Sequence, residues 1–271
     1  MPQGMVFALI IVVVFVILNG GDLIPGRMDE TTSYGLVQRF KNTAGERITE
    51  EQEKLLKPRL ERMEHWWKID PTQKLVLDHH QSEIKLPNAH SIVNPNRFDD
   101  RSELNYLCAA GVCFLFLIAL NKKLREKNWF KLNSILEPNL INILDLVSLG
   151  TVCDVVPLVG LNRAIVYQGL KVLKKKNNLG LKTLIDINNI ESNITTYHLG
   201  YVLGPRINAG GRVGRSTHGA NLLLNTDAQE TFKIASELNN YNKERQILES
   251  ELLKKILNTD FQVNSDPVII L

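Results

Sequence analysis

The chain has 271 residues, 44% hydrophobic and 23% charged, with a formal net charge of +3. These are the proportions of a globular protein with enough apolar residues for a sizeable core, as one large domain or two small ones. The three cysteines exclude a disulfide scaffold by their odd number. The small net charge does not announce a nucleic-acid binder, although local patches matter more than the sum.

In chain order, residues 5–18 form an unbroken run of 14 apolar residues. That is shorter than the roughly 18 to 20 a bilayer-spanning helix needs. No Lys or Arg precedes it and no small-residue cleavage site follows. Its Ile and Val suit a buried strand, so no stable membrane partner is expected. Residues 20–35, rich in Gly, Pro, Ser and Thr, read as loop. Residues 46–69 show helical periodicity, which Pro58 splits into two shorter helices.

Leu75 to Leu77 form a short strand ending at Asp78, and residues 90–96 (HSIVNPN) form a second, stopped by Asn-Pro. Residues 107–128 are apolar nearly all round and then basic, which predicts a helix that is buried first and emerges at its end. Residues 140–158 predict a helix, a break at Gly150, and a strand or tight turn carrying Asp154. Two further helices are expected over 162–180 and 181–187. A long one is expected over 227–258, with Phe232, Ala235, Leu238, Tyr241, Leu248, Leu252 and Ile256 as its apolar stripe. Residues 266–271 begin another buried strand. Cys108, Cys113 and Cys153 sit in apolar surroundings and read as buried thiols in a reducing, cytoplasmic setting.

Short strands alternating with helices predict an α/β fold, a parallel sheet with helices on both faces, followed by a long connector helix. Ligands of such sheets gather at the carboxyl ends of the strands. Asp78, His79 and His80 follow a strand directly and would lie at that edge, as would Asp154. Imidazole and carboxylate together suit Mn²⁺ and other divalent ions, and a neighbouring acid fixes an imidazole tautomer. The plainer alternatives are a surface turn for Asp-His-His and a cap or turn role for Asp154. In GPRINAGGRVGR (204–215), glycines interleave with Arg206, Arg212 and Arg215. Close backbone approach and planar guanidinium forks suit phosphate, and a solvated basic loop is the alternative. No Lys-Ser/Thr follows in P-loop spacing.

The order and spacing of VLDHH, VNPN, LDLVSLGTVCDVVPL, NRAIVYQGLKVL and LGYVLGPRINAGGR closely resemble the RecJ family of the DHH phosphoesterase superfamily, over residues 75–258. The resemblance implies a DHH-like fold and a metal-dependent 5′→3′ exonuclease acting on single-stranded DNA with Mn²⁺ or Mg²⁺, in DNA repair and recombination. It implies His79 as a metal ligand, His80 as the partner of the scissile phosphate, Asp78 as the orienting acid and Asp154 as a carboxylate ligand. Arg206, Asn208 and Arg212 would face the nucleic-acid backbone. Upstream, LIPGRMDETTSYG looks like the family's Arg-bearing loop, which places Arg27 at the 5′ phosphate.

The implied organisation is a diverged part of the DHH domain over 1–74, its core over 75–226, the connector over 227–258 and the start of a second domain over 259–271. The family's opening Asp-rich motif and its metal-bridging Asp have no counterpart here; Asp70, the nearest acid, does not fit the context. Impaired catalysis is therefore expected, because hydrolysis at two ions needs ligands for both. The alternatives are a non-catalytic remnant that still binds single strands, and a small-molecule phosphoesterase of the same superfamily.

Overall fold

The computed structural model describes residues 75–190, 193–213 and 217–257. The expectations for 1–74, Arg27 among them, and for 259–271 lie outside these residues. The chain divides into two compact units, one ending at Val172 and the other beginning at Leu173.

In the first unit, β1 (Leu75–Leu77) pairs in parallel with β2 (Ser91–Val93), Leu75 opposite Ser91 and Leu77 opposite Val93. The Asp78 amide donates to the Val93 carbonyl at 3.0 Å and carries the ladder one residue past β1. Parallel strands are usually joined through a helix. Here residues 78–90 contain neither helix nor strand, and the Asp-His-His residues sit at their start.

Helix α1 (Ala109–Glu126) buries its first half, from Ala109 through Phe114 and Leu117, and ends with Lys123 and Arg125 in its last turn. That is the buried-then-basic helix expected for 107–128. A single turn, α2 (Trp129–Leu132), follows, and then a 3₁₀ turn (Leu140–Ile143) whose N-cap Asn139 accepts from the Ile141 amide. Helix α3 (Leu144–Cys153) is buried from Leu144 through Thr151. Its hydroxyls turn inward onto its own backbone: Ser148 Oγ donates to the Asp145 carbonyl and Thr151 Oγ1 to the Val147 carbonyl.

The sequence predicts a break at Gly150 and a strand or tight turn carrying Asp154. The helix runs through Gly150 without a break, and Asp154 is its C-cap at the start of the expected turn, its amide donating to the Gly150 carbonyl at 3.0 Å. A helical glycine costs about 1 kcal/mol relative to alanine. Burying Leu144, Leu146, Val147 and Leu149 outweighs that, at roughly 1.5–3 kcal/mol per side chain.

Helix α4 (Gly160–Leu173) packs on α3 through Gly169, where a Cβ would stand 2.3 Å from the Leu144 carbonyl oxygen. Leu77, Cys108, Ala110, Cys113, Phe114, Leu144, Val147, Ile165 and Val172 form one core. It joins the strand before Asp78 to the helix before Asp154. Cys108 and Cys113 are buried as expected, whereas Cys153 at the end of α3 is only half-buried; desolvation pushes the Cys113 thiol up to about 12.

The second unit is helical among the described residues. It holds α5 (Leu179–Ile187), a π-helical segment (His198–Leu203), α6 (Gly204–Val213), α7 (His218–Leu224) and α8 (Ala228–Leu257). Asn178 caps α5 by accepting from the Leu181 amide, and Asp227 caps α8 by accepting from the Glu230 amide. Leu181, Leu184, Leu199, Leu203, Ile207, Leu222 and Leu238 form its buried centre. The Gly-rich segment is helix α6, because Ile207, Ala209 and Gly210 are buried against neighbouring helices.

The α8 stripe differs from expectation. Ala235 and Leu238 are buried, whereas Phe232, Leu248 and Leu252 are each 59% exposed. Among the described residues no helix is long and apolar enough to cross a membrane. The α/β class stands, with a small parallel sheet and mostly helix among the described residues.

Candidate metal centre

The corner after β1 is built around one carboxylate. Asp78 Oδ1 accepts from the His79 amide at 2.7 Å and the His80 amide at 3.3 Å. The same oxygen meets His80 Nδ1 at 2.7 Å. With Nδ1 donating to the acid, His80 keeps Nε2 for another partner. The corner turns His79 the other way, so that its Nε2 stands 3.4 Å from Asp154 Oδ2. The two imidazoles lie 4.3 Å apart, tilted by 49°. Ligand atoms of Asp78, His79 and His80 fall within 4.8 Å of one another.

Two residues of VNPN, expected as a strand stop and as part of the resemblance but given no role at the site, hold this corner. Asn94, only 5% exposed, donates from Nδ2 to the His80 carbonyl at 2.9 Å and accepts the Asn96 amide at 2.8 Å. Asn96 donates from Nδ2 to the His79 carbonyl at 2.6 Å. Ser82 Oγ donates to the Asn96 carbonyl, and Gln81 Nε2 to its side-chain oxygen. β2 thus delivers two amides to the backbone beneath both histidines. The available signal was the pair of asparagines flanking Pro95, each able to donate and accept at once.

Asp154 is held by its own devices. It follows a buried helix, and Val155 beyond it takes φ +56°, a conformation costly for a β-branched residue. Val155 itself is 87% exposed. Beneath the loop, fully buried Asn162 donates to the Pro157 carbonyl at 2.9 Å and the Tyr106 carbonyl at 2.7 Å.

Burial dominates the electrostatics. It lowers the His79 pKa, against the opposing pull of Asp154, and it raises the Asp154 pKa, against that of His79 and His80. Alone, the pair therefore resists becoming imidazolium and carboxylate. Burial thus already favours the neutral imidazole that a divalent cation takes as ligand, and the cation has only to draw Asp154 into its ionised form. The spacing fits as well. Two ligand atoms about 2.1 Å from one ion stand about 3.0–3.5 Å apart at octahedral or tetrahedral angles, and the separation here is 3.4 Å. The donor set of imidazole and carboxylate suits Mn²⁺.

The expected metal and acid residues Asp78, His79, His80 and Asp154 thus come together. Of the expected phosphate-binding residues, Arg206 and Asn208 lie half-buried on α6 in the second unit. Arg206 donates from Nε to Asn239 at 2.9 Å and from Nη1 to the Val202 carbonyl at 2.7 Å. Arg212 is on α6 by its backbone, and Arg27 lies outside the described residues.

No family model matches the chain. The single-stranded-DNA-specific exonuclease RecJ of Salmonella typhimurium is 40% identical over 185 residues, which cover 68% of this chain and 32% of that protein. RecJ of Escherichia coli is 39% identical over 177 residues, covering 65% and 31%. A crystal structure of exonuclease RecJ bound to manganese superposes with a TM-score of 0.57 at 33% identity, covering 68% of this chain and 43% of that one. RecJ from Thermus thermophilus in complex with Mn²⁺ does so with a TM-score of 0.57 at 32% identity, covering 69% and 26%. The chain therefore spans about a third or less of the curated relatives it matches. Over about two thirds of its length, in sequence and in backbone alike, this chain is similar to part of the RecJ single-stranded-DNA-specific exonucleases.

Proposed function

We propose that this chain carries one half of the metal centre of a 5′→3′ exonuclease that hydrolyses phosphodiesters in single-stranded DNA, serving DNA repair and recombination in the cytoplasm. The observation that carries the reading is His79 Nε2 standing 3.4 Å from Asp154 Oδ2 at the end of β1. His79 and Asp154 would hold a Mn²⁺ or Mg²⁺ ion, which would supply a water of lowered pKa and polarise the phosphoryl oxygen. Asp78 orients His80, whose Nε2 contacts the scissile phosphate. Arg206, Asn208 and Arg212 on α6, with Arg27, meet the strand's phosphates.

Mn²⁺ titration by calorimetry of the 271-residue chain tests the reading, alongside hydrolysis of a 5′-phosphorylated single strand. His79→Ala should weaken Mn²⁺ binding at least tenfold and abolish hydrolysis while sparing metal-free DNA binding. Unchanged Mn²⁺ affinity in that variant would refute the ligand assignment.

A second reading is a chain that binds single strands without cutting them. It is favoured by the small donor set: among the described residues the candidate ligands are Asp78, His79, His80 and Asp154. Two of these leave most of an ion's coordination to water. Salt-dependent DNA binding with no hydrolysis at saturating Mn²⁺ would select it.

A further inference from the structure

The π-helical segment His198–Leu203 turns its leucines inward and its tyrosines outward. Leu199 and Leu203 are fully buried, while Tyr197 is 60% and Tyr201 74% exposed. Hydrophobic burial alone would favour hiding rings of this size. Instead the two rings stack on each other in solvent, centroids 5.3 Å apart and planes 25° from parallel.

The stack is braced. His198 meets the Tyr197 ring edge-on at 5.6 Å. Its Nδ1 accepts from the Thr195 amide at 3.1 Å and lies 3.0 Å from Thr195 Oγ1. Pro205, second in α6, supplies no amide hydrogen to the turn before it, and the Arg206 guanidinium donates to the Val202 carbonyl within that turn. π-Helical turns of this kind recur at functional sites. The tyrosines therefore stand immediately before α6, whose Arg206 and Asn208 were assigned above to the phosphate backbone.

We propose that the Tyr197–Tyr201 pair is a stacking platform for an unpaired base of single-stranded DNA, with the outer face of Tyr201 continuing the stack. This rests on the function proposed above and adds to it a source of single-strand selectivity. A base in a duplex already has both faces covered, and only an unpaired base offers one to a tyrosine. Every base has a π-face, so the platform is indifferent to sequence. The arrangement also separates two jobs: α6 meets phosphates and the π turn meets bases.

The two contributions have different salt signatures. Phosphate contacts release counterions and weaken as salt rises, whereas ring stacking does not. Binding of the whole chain to a fluorescent thymidine oligomer, in EDTA and across a salt series, reads both. Tyr201→Ala and Tyr197→Ala should each weaken binding about five- to a hundredfold, the range for loss of one stacked base. The slope of log affinity against log salt should stay the same, and Tyr201→Phe should bind like wild type. An abasic oligomer of equal length should bind wild type and Tyr201→Ala alike.

Equal affinity of wild type and both alanine variants for thymidine would overturn the proposal. So would a change in salt slope, a failure of phenylalanine to substitute, or a matching drop in melting temperature, which would make the pair a packing surface. The Mn²⁺ titration of His79→Ala is read on separate samples and with no DNA. A platform that fails leaves that result standing, and a metal assignment that fails leaves the metal-free binding series intact.

Discussion

Asn94 is the sharpest place to test how the metal corner is held. Replacing it with alanine removes the donor to the His80 carbonyl at 2.9 Å and the acceptor of the Asn96 amide at 2.8 Å. A net hydrogen bond contributes about 0.5–1.5 kcal/mol, and a partner left without water costs more. Asn94 is 5% exposed while the corner around it is half-buried, so water reaches part of what is left. The expected loss of stability is therefore about 2–3 kcal/mol. The effect on the metal is separate. Residues that orient ligands without touching the ion typically change affinity 10–100-fold, and Asn94 sets both the His80 carbonyl and, through Asn96, the His79 carbonyl. Urea denaturation would measure the first effect and Mn²⁺ calorimetry, performed well below the unfolding transition, the second. A variant that loses stability but binds Mn²⁺ as wild type does would refute the claim that β2 positions the histidines.

Two other substitutions probe the scaffold. Asp145 is 2% exposed, and burial raises its carboxyl from 3.8 to about 6. Because the folded state holds the proton longer, its stabilising contribution is complete below about 4 and is lost as pH rises through about 6, a change of about 3 kcal/mol. The stability of Asp145→Asn minus that of wild type should climb by that amount between pH 4 and pH 7, and a flat difference in urea titrations would contradict it. Gly169→Ala should destabilise by about 3 kcal/mol, since its Cβ would meet the Leu144 carbonyl oxygen at 2.3 Å and Ser148 Oγ at 2.4 Å. A thermal melt within 1 °C of wild type would show that α3 and α4 do not approach as described.

The elements with a plain local cause were legible. The apolar run at 75–77, the buried-then-basic pattern of α1, and helices α5 and α8 each stand within a few residues of expectation, whereas α4 ends at Leu173, seven residues before the end expected for it, and Leu179 and Gly180 open α5 instead. Gly150 misled because a glycine reads as a break only where the helix has nothing better to gain, and α3 is buried almost all round. The α8 stripe was legible as helix but not as burial, since periodicity reports a face and not what covers it. At the centre, residue type and motif brought Asp78, His79, His80 and Asp154 forward. Asn94 and Asn96 were legible as a motif and as donor-acceptor side chains, but not as the groups under the two histidines, because that depends on β2 lying beside β1 in register.

Val155 has a consequence for the loop that follows Asp154. A glycine would take the left-handed bend at no cost, whereas valine holds it at about 1–2 kcal/mol and would relax to extended backbone if released. The bend therefore persists only while the contacts around it outweigh that cost, the Asn162 amide on the Pro157 carbonyl among them. A loop sprung in this way exchanges some stability for a fixed exit from α3.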